Sequence, residues 1–407
     1  MEVKFVSNMK VLNYKDKVVL VNMLNGLWIR ISKLVYSIFC MAQEKKYTLG
    51  QLLNELYDDD DREYIRCVYK KMQEIGVLAE EKRNIKNWEN RTVLFEVTRK
   101  CNLHCLHCCV DASSKEDFEL SYNDIIVALQ RIIEWNPSQI TLTGGEPLLR
   151  QDIFEILQYT REKYCGKITL STNGTLINSD NVLLLTKYTD QIDISVDGVD
   201  EETCSRVRGN GVFQKVIDAV ELLHKNNYFN ITLSMISDKF HGEMERLFEK
   251  LNEDLGTKAI IRTFAPTGRG KENENLLQGD QYYNPIPVIN KKIFQACTCL
   301  AGESKILINY KGDIYPCQYF VEPEFVMGNI LYDNISNLFA EEIVYSVKKF
   351  FPQNYERCKE CPVNIFCWPC PGELCLYTKN GMENHFENIC QFQKKLLLEK
   401  VWGEDVV

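Results

Sequence analysis

The chain has 407 residues, 45% of them hydrophobic, and a formal net charge of −9 at neutral pH. This length is sufficient for two or three domains with ordinary hydrophobic cores. The acidic balance, with a pI near 5.4, argues against bulk electrostatic attraction to nucleic acid or to an anionic membrane surface. We therefore expect neither nucleic acid nor a membrane among its partners.

The amino-terminal sequence MEVKFVSNMKVLNYKDKVV contains no apolar stretch of the signal-peptide type. No segment approaches the roughly 20 apolar residues that a membrane-spanning helix needs. A cytoplasmic protein is therefore expected. In that reducing compartment disulfides explain 17 cysteines poorly, and clustered thiols more often bind metal or carry redox chemistry.

Residues 1–85 contain short β-like runs followed by three helical stretches, the last of which, DREYIRCVYKKMQEIGVL, has apolar residues three and four positions apart. Strands followed by a small helical bundle predict a winged-helix-like module. The polar segment Ala79–Arg91 is typical of a connection. We place the linker itself at residues 86–91.

Strand-like and helix-like runs alternate over residues 92–285. The strand-like runs are TVLFEV, QITLTG, KITLST, QIDISV, NITLSM and AIIRTF. Repeated βα units predict parallel strands joined by right-handed crossovers, and therefore an α/β fold. Six such strands favour a partial (β/α)6 TIM-like barrel, with an open doubly wound sheet as the alternative. In both arrangements, functional residues are expected at the carboxyl ends of the strands.

A first cysteine cluster, CxxxCxxC, comprises Cys101, Cys105 and Cys108 and directly follows the first strand of this region. Three thiolates on a four-iron cubane leave one iron open to a substrate or cofactor. Tetrahedral zinc is the alternative, with His104 or His107 as the fourth ligand. The adjacent Cys109 is interpreted as a plain buried thiol.

The CxxxCxxC loop after the first strand and GGEP (Gly144–Pro147) after the second resemble the radical S-adenosylmethionine (radical SAM) superfamily. The resemblance implies that the open iron chelates the amino and carboxylate groups of the methionine moiety. Reduction of the cluster then cleaves the sulfonium and gives a 5′-deoxyadenosyl radical, which abstracts hydrogen from the substrate. One departure is His107, where the family often has a plain aromatic residue before the third cysteine.

The same resemblance implies which residues surround S-adenosylmethionine. Glu146 or neighbouring carbonyls would meet the methionine ammonium, and one of two arginines in RVRGNGVF would pair with the methionine carboxylate. Small polar residues at the third and fourth strand ends would lie near the ribose and carboxylate. The implied cofactor-binding residues are Gly144, Gly145, Glu146, Pro147, Ser171, Asn173, Ser195, Asp197, Arg206 and Arg208.

A second set of cysteines lies between residues 297 and 390, beyond the barrel region. A CxxC with further cysteines at short spacing is a strong metal signal, again with zinc as the alternative. The array resembles the SPASM extension of radical enzymes, which implies two auxiliary [4Fe-4S] clusters in residues 286–407 and three clusters in total. The implied ligands are Cys297, Cys299, Cys317 and Cys370 for one cluster and Cys358, Cys361, Cys367 and Cys390 for the other.

Two ligand assignments in this set stay open. Two residues separate Cys367 from Cys370, where the SPASM pattern has three, so Cys375 competes with Cys370 as a ligand. Cys297 and Cys299 are both candidates for the first auxiliary cluster. If only one of them binds, that cluster has an open iron.

The amino-terminal module resembles the precursor-peptide recognition element of ribosomal-peptide maturases of the sactipeptide and ranthipeptide type. The resemblance implies that an extended leader peptide adds to an exposed strand edge by main-chain hydrogen bonds. The expected activity is intramolecular crosslinking of a precursor peptide, most simply as a thioether, with an electron donor such as flavodoxin or ferredoxin. No catalytic acid or base can be named from the sequence.

Four alternatives to thioether formation stay open. They are a carbon–carbon or ether crosslink, a dehydrogenase of the sulfatase-maturase type, an enzyme that tailors a tetrapyrrole or quinone precursor, and a metal-binding scaffold without catalysis. The ordered strand-end motifs argue against the scaffold, because zinc binding requires no GGEP sequence.

Overall fold

The chain is described as a computed structural model. The described residues are 2–79, 91–116, 118–237, 243–264, 267–273, 294–296, 299–338, 341–367, 370–379 and 383–403. Two compact units are present, and each is assembled from separate segments. The terminal unit comprises 1–85, 285–299 and 348–407, and the barrel unit comprises 86–284 and 300–347.

The division predicted from the sequence, at residues 85, 92 and 285, stays a prediction. Nearly all of the predicted linker 86–91 and one predicted ligand, Cys297, lie outside the described residues.

The terminal unit begins with an antiparallel sheet of order β1-β2-β3 followed by three helices. The elements are β1 Met9–Tyr14, β2 Lys17–Asn22, β3 Trp28–Ser32, α1 Lys33–Glu44, α2 Leu49–Asn54 and α3 Asp59–Glu74. The central strand β2 is buried at almost every position. Side-chain caps start the helices, since Ser32 accepts from the Val35 amide and Thr48 forms a capping box with Gln51. Strands followed by helices are the predicted order.

The carboxyl-terminal segment completes this unit with two further helices, which are α12 Pro371–Lys379 and α13 Glu383–Trp402. The end of α13 packs on the amino-terminal sheet. The rings of Trp402 and Tyr14 lie 5.4 Å apart, and Lys17 Nζ donates to the Trp402 carbonyl at 2.7 Å. Arg30 donates to the carbonyl of Val401 at 3.0 Å. The amino-terminal sheet and the last helix of the described chain are therefore in direct contact within this unit.

The barrel unit contains six parallel strands in chain order with helices between them, which confirms the predicted partial (β/α)6 barrel. The strands are β4 Thr92–Thr98, β5 Gln139–Gly144, β6 Lys167–Thr172, β7 Gln191–Ser195, β8 Ile231–Ser237 and β9 Lys258–Thr263. The helices are α4 Tyr122–Glu134, α5 Ile153–Lys163, α6 Val182–Tyr188, α7 Glu201–Arg208, α8 Val212–Lys225, α9 Glu243–Leu255 and α10 Arg269–Glu272.

Three short strands extend the sheet beyond β4, namely β10 Lys305–Ile308, β11 Asp313–Tyr315 and β12 Gly328–Asn329. Strand β10 runs parallel to β4, and β11 and β12 continue antiparallel. The helix α11, Glu341–Lys348, follows. No helix in the described part of the chain is long and apolar enough to cross a membrane.

The parallel strands alternate apolar and polar residues with period two. Apolar side chains such as Val93, Phe95 and Val97 on β4 pack against the helices. The opposite, inner face carries polar side chains linked between strands. Gln191 donates to Thr232 at 3.0 Å, for example. The barrel interior is therefore polar, which suits a polar substrate and cofactor.

Candidate functional site

The glycine pair at the carboxyl end of β5 lies directly against the loop that follows β4. A Cβ atom on Gly144 would lie 2.0 Å from the Thr98 carbonyl oxygen, and one on Gly145 would lie 2.3 Å from the Lys100 carbonyl oxygen. Gly144 also has φ +140°, which L side chains rarely adopt. The amides of Gly145 and Glu146 donate to those two carbonyls at 2.9 and 2.7 Å. Only glycine fits this approach.

Glu146 is fully buried behind the glycines, and its carboxylate is held by three donors. One oxygen accepts from the Thr172 hydroxyl at 2.7 Å and the Leu148 amide at 3.0 Å, and the other accepts from the Asn173 amide at 2.7 Å. Burial raises the pKa of Glu146, and these hydrogen bonds oppose the rise. Pro147 begins the short 3-10 helix that Glu146 caps. The carboxylate thus ties the ends of β5 and β6 together.

The CxxxCxxC loop places all three sulfurs where they accept hydrogen bonds. Cys101 Sγ accepts from the Leu103 amide at 3.4 Å, and Cys108 Sγ accepts from the Ala112 amide at 3.3 Å. Arg208 approaches Cys105 Sγ at 3.8 Å. Hydrogen bonds from N–H groups to the sulfurs stabilise thiolates, which is what iron ligation requires.

Burial raises the pKa of Cys101, and raises that of Cys105 to about 11, although the Arg208 charge opposes the rise. Thiolates at these positions therefore need a positively charged partner. Among the described residues, no group of three or more His, Cys, Asp or Glu side chains is placed to hold a single metal ion.

Asp197, at the carboxyl end of β7, is surrounded by protein donors. His107 Nε2 lies 2.5 Å and Arg208 Nε 2.6 Å from Oδ2, and the Ile236 amide donates to Oδ1 at 2.6 Å. Burial alone would raise the pKa of Asp197, but Arg208 and His107 hold it far below its ordinary value. His107, the departure from the usual aromatic, thus serves as a partner of Asp197.

The remaining predicted cofactor residues divide between the site and the surface. Asn173 Nδ2 bonds to Asn102 of the cysteine loop at 2.8 Å, and Ser195 accepts from Ser234 at 3.3 Å on the inner face. Ser171, on β6, shares the inner face with Ser195 because it alternates with Leu170. Arg206 instead pairs with Glu202 on the exposed side of α7 at 2.6 Å. The structure therefore brings Arg208, and not Arg206, to the cysteine loop.

One residue of this region is not evident from the sequence. Arg269, after β9, is buried and donates to the carbonyls of Cys105 at 2.9 Å and Ala112 at 3.1 Å. It also pairs with Asp111 at 2.7 Å, and its own amide donates to the Cys108 carbonyl at 3.0 Å. Arg269 thereby fastens the loop after the last barrel strand to the loop after the first.

Comparison with known families places these features in context. The family model for the Radical SAM superfamily matches residues 95–255, and the model for the SPASM iron–sulfur cluster-binding domain matches residues 297–362. The AdoMet-dependent heme synthase of Methanosarcina barkeri (strain Fusaro / DSM 804) is 32% identical over 335 residues, which cover 72% of this chain and 94% of that protein. The chain belongs to the radical SAM superfamily.

A second relative of this radical SAM enzyme spans nearly the full chain. The antilisterial bacteriocin subtilosin biosynthesis protein AlbA of Bacillus subtilis (strain 168) is 26% identical over 414 residues, which cover 92% of this chain and 90% of that protein. Among solved structures, Streptococcus suis SuiB bound to the precursor peptide SuiA shares the fold. Its TM-score is 0.55 at 15% identity, with 90% of this chain and 94% of that chain covered.

Membership of the superfamily and the SPASM match establish the cofactor classes. The enzyme uses S-adenosylmethionine and [4Fe-4S] clusters. The family match therefore favours the iron–sulfur interpretation of both cysteine sets over the zinc alternative.

Within the terminal unit, several SPASM cysteines lie close together. Burial raises the pKa of Cys358 to about 12, and nearby Cys390 and Cys361 raise it further. Cys361 also raises the pKa of Cys390, so these three thiols are neighbours. The fourth predicted ligand, Cys367, lies 3.4 Å from Oε1 of Gln393, one helical turn beyond Cys390 on α13. Gln393 is buried and is a second residue that the sequence analysis missed.

The other SPASM cysteines are divided between the units. Cys317 is buried after β11 in the barrel unit, and burial raises the pKa of its thiol. Cys299, Cys370 and Cys375 belong to the terminal unit, where Cys375 is buried in α12. The choice between Cys370 and Cys375 stays a prediction.

Proposed function

We propose that this enzyme is a peptide maturase that binds the leader of a ribosomally made precursor and crosslinks its core. The supporting observation is the correspondence with AlbA, which covers 92% of this chain and 90% of that protein. The heme synthase corresponds to only 72% of this chain. A relative that matches almost the whole chain therefore has a name that refers to bacteriocin biosynthesis.

Contacts within the terminal unit support a link between leader binding and the auxiliary-cluster segment. Trp28 of β3 donates its Nε1–H to the Phe294 carbonyl at 2.7 Å. The Trp28 ring packs edge-on against Phe366, with ring centroids 5.2 Å apart, and Phe366 directly precedes Cys367. A peptide strand on β3 would therefore be separated from the predicted cluster ligand Cys367 by a single aromatic contact, between Trp28 and Phe366.

The outer edge of β3 is our proposed leader site. The Asn22 amide donates to the Leu27 carbonyl, which makes this a hydrogen-bonded pair of the antiparallel ladder. Because such pairs alternate, the amides of Trp28, Arg30 and Ser32 point away from β2. An extended leader can accept from these amides and continue the sheet.

We assign the first cluster to Cys101, Cys105 and Cys108. Two auxiliary clusters would complete the set of three. One is assigned to Cys299, Cys317 and Cys370, together with Cys297, and the other to Cys358, Cys361, Cys367 and Cys390. S-adenosylmethionine, when bound at the cluster held by Cys101, Cys105 and Cys108, would supply a 5′-deoxyadenosyl radical for hydrogen abstraction from the peptide. An external donor of the flavodoxin or ferredoxin class would reduce the first cluster.

The chain's own residues would orient this chemistry. The glycine pair allows the backbone near Glu146 to approach the methionine ammonium, and Arg208 would share its charge between Asp197 and the methionine carboxylate. Polar groups of the inner face, including Ser171 and Ser195, would lie near the ribose. Burial of Cys101 and Cys105 would help to exclude water from the reacting groups.

The crosslink that we favour is a thioether between a cysteine sulfur and a core-residue carbon. The auxiliary cluster that Cys299, Cys317 and Cys370 would hold could supply a binding site for that thiolate. The test is anaerobic coexpression with a short cysteine-containing peptide, if one is encoded beside this gene, followed by accurate mass measurement of the peptide. We expect a loss of two hydrogens per crosslink, blocked thiol alkylation, and no change of mass with Cys101→Ala. An unchanged peptide mass despite S-adenosylmethionine cleavage would contradict the maturase assignment.

The leader site has a separate test. Arg30→Pro removes an outward amide and should weaken binding of a fluorescent form of the same peptide at least tenfold, since an edge strand tolerates proline but loses this donor. Arg30→Ala is the matched control, because it loses only the contact with Val401 and keeps the amide. Equal affinities of the two variants would exclude this edge.

The second candidate function is tailoring of a tetrapyrrole, which the 32% identity to the heme synthase supports. That reaction requires no leader site. Turnover of a porphyrin substrate at equal rates by the native chain and Arg30→Pro would favour it.

A further inference from the structure

Glu96 is a buried carboxyl that has no role in the site described above. It lies on β4, where Phe95 and Val97 face the helices, so Glu96 faces the barrel interior. Its residue is 8% exposed. In the sheet register Glu96 pairs with Thr143, the residue before Gly144. Glu96 therefore lies at the carboxyl end of the strands, where chemistry takes place in such barrels.

Glu96 lies near two cysteine-bearing segments of the barrel unit. Its charge acts on Cys109, the neighbour of Cys108, and on Tyr315, two residues before Cys317. Glu96 therefore lies near both the first cluster loop and the β11 strand that precedes Cys317.

The groups that face Glu96 come from several elements. The Tyr310 backbone amide donates to its carboxylate, and the Arg99 guanidinium lies nearby. Arg99 itself donates to the Tyr310 hydroxyl at 3.3 Å and stacks over its ring. Tyr315 and Cys109 are the other titratable neighbours, and Arg262 on β9 acts on Cys109. Burial raises the pKa of Glu96 to about 7, although Arg99 and the Tyr310 amide oppose the rise.

Two other buried carboxylates of the site are poorer proton acceptors. Both oxygens of Glu146 already accept hydrogen bonds that join β5 to β6. Asp197 is paired with Arg208, which holds its pKa far below the ordinary range. A carboxylate with a pKa near the working pH is better suited to accept a proton.

We propose that Glu96 accepts the proton that the peptide releases as its crosslink forms. This inference rests on the proposed maturase function. The core C–H bond breaks, and its hydrogen atom goes to the 5′-deoxyadenosyl radical. The thiol S–H bond breaks, the C–S bond forms, and the proton goes to the Glu96 carboxylate. One electron remains and leaves to an oxidised iron–sulfur cluster, which is the oxidant that this step requires.

The test uses Glu96→Gln, which keeps the size of the side chain and cannot take up a proton at neutral pH. With a precursor peptide that the native chain crosslinks, the rate of crosslinking by Glu96→Gln should be about 10²–10⁴-fold lower. Formation of 5′-deoxyadenosine should persist, so that more of it accumulates per crosslink. Glu96→Asp should retain an intermediate rate. Glu221→Gln, an exposed acid on α8, is the matched control and should match the native chain.

The pH profile is the decisive readout. Crosslinking by the native chain should fall as the pH drops below about 7, because protonated Glu96 cannot accept a further proton. This decline at low pH should be absent in Glu96→Gln. In Glu96→Asp it should return, with its midpoint at a different pH. If Glu96→Gln crosslinks at the native rate with the same decline at low pH, the role of Glu96 is wrong, but the maturase proposal stands. A native chain that leaves the peptide unmodified would overturn both this inference and the maturase proposal.

Discussion

Arg208 and Asp197 form a buried ion pair that reaches the cysteine loop. Arg208 Nε donates to Asp197 Oδ2 at 2.6 Å, and their side chains are only 9% and 3% exposed. The same guanidinium lies 3.8 Å from the Cys105 sulfur. The pair therefore positions a positive charge beside a thiol whose pKa burial raises.

Asp197→Asn should destabilise the protein by about 3–5 kcal/mol, because it leaves the Arg208 charge buried without its partner. Glu202→Gln is the matched control. It breaks the Arg206–Glu202 pair, whose side chains are 50% and 78% exposed, and should cost at most about 0.5 kcal/mol. Urea unfolding measures both. Equal losses would mean that burial does not distinguish these pairs.

The stabilisation by Asp197 should also depend on pH. Its pKa in the folded protein lies below the ordinary value of 3.8, so the folded state favours the ionised form. The contribution is therefore fully present above the unfolded-state pKa and decreases as the pH falls toward the folded-state value. The difference in unfolding free energy between native and Asp197→Asn should shrink in acid. A difference that grows below pH 4 would contradict this sign.

Gly145→Ala should disrupt the site, because the added Cβ would lie 2.3 Å from a backbone oxygen that cannot move independently. We expect loss of the first cluster, measured as lower iron content and weaker visible absorbance after anaerobic reconstitution. Gly50→Ala makes the same change inside α2, where the nearest atom is 4.0 Å away. That variant should gain about 0.5–1 kcal/mol in stability. Full iron content in Gly145→Ala would refute the close-approach argument.

Arg269→Gln should loosen the cysteine loop, since it removes donors to Cys105 and Ala112 and the charge opposite Asp111. Residues that orient ligands typically affect metal affinity about 10–100-fold. We expect faster loss of the first cluster to a chelator, with partial rescue by Arg269→Lys. Arg161→Gln is the control, because Arg161 similarly bonds a carbonyl and Asp190 at the amino ends of the strands. Equal iron loss in both would indicate general destabilisation.

Gln393→Leu should lower the reduction potential of the cluster that we assign to Cys367. A ligating thiolate has no proton to donate, so the Gln393 amide must present its N–H to the sulfur. Removal of that bond should shift the potential downward by roughly 60 mV, a tenfold change for one electron. Gln391→Leu, exposed on the same helix, should leave the potential unchanged. Redox titration followed by electron paramagnetic resonance measures the potential of this cluster. A potential that rises or does not change in Gln393→Leu would contradict this role.

The strand-end motifs could be located from the sequence because parallel strands end at one edge of the sheet, which brings CxxxCxxC and GGEP together. The choice between Arg206 and Arg208 could not be made. Side chains two positions apart on a helix point to nearly opposite sides. The sequence therefore indicates only that one of the two arginines faces the site. Arg269 and Gln393 act through carbonyls and sulfurs distant in sequence. No local spacing encodes such contacts.

The contact between Trp402 and Tyr14 has a consequence for biosynthesis. The sheet that we propose as the leader site is synthesised long before its partner helix α13, because almost the whole chain separates them. The terminal unit therefore cannot finish folding until α13 has been synthesised, and the part of the sheet that α13 contacts stays uncovered meanwhile. A nascent chain thus completes the unit that carries the proposed docking edge only after the cysteines that we assign to the auxiliary clusters have been synthesised.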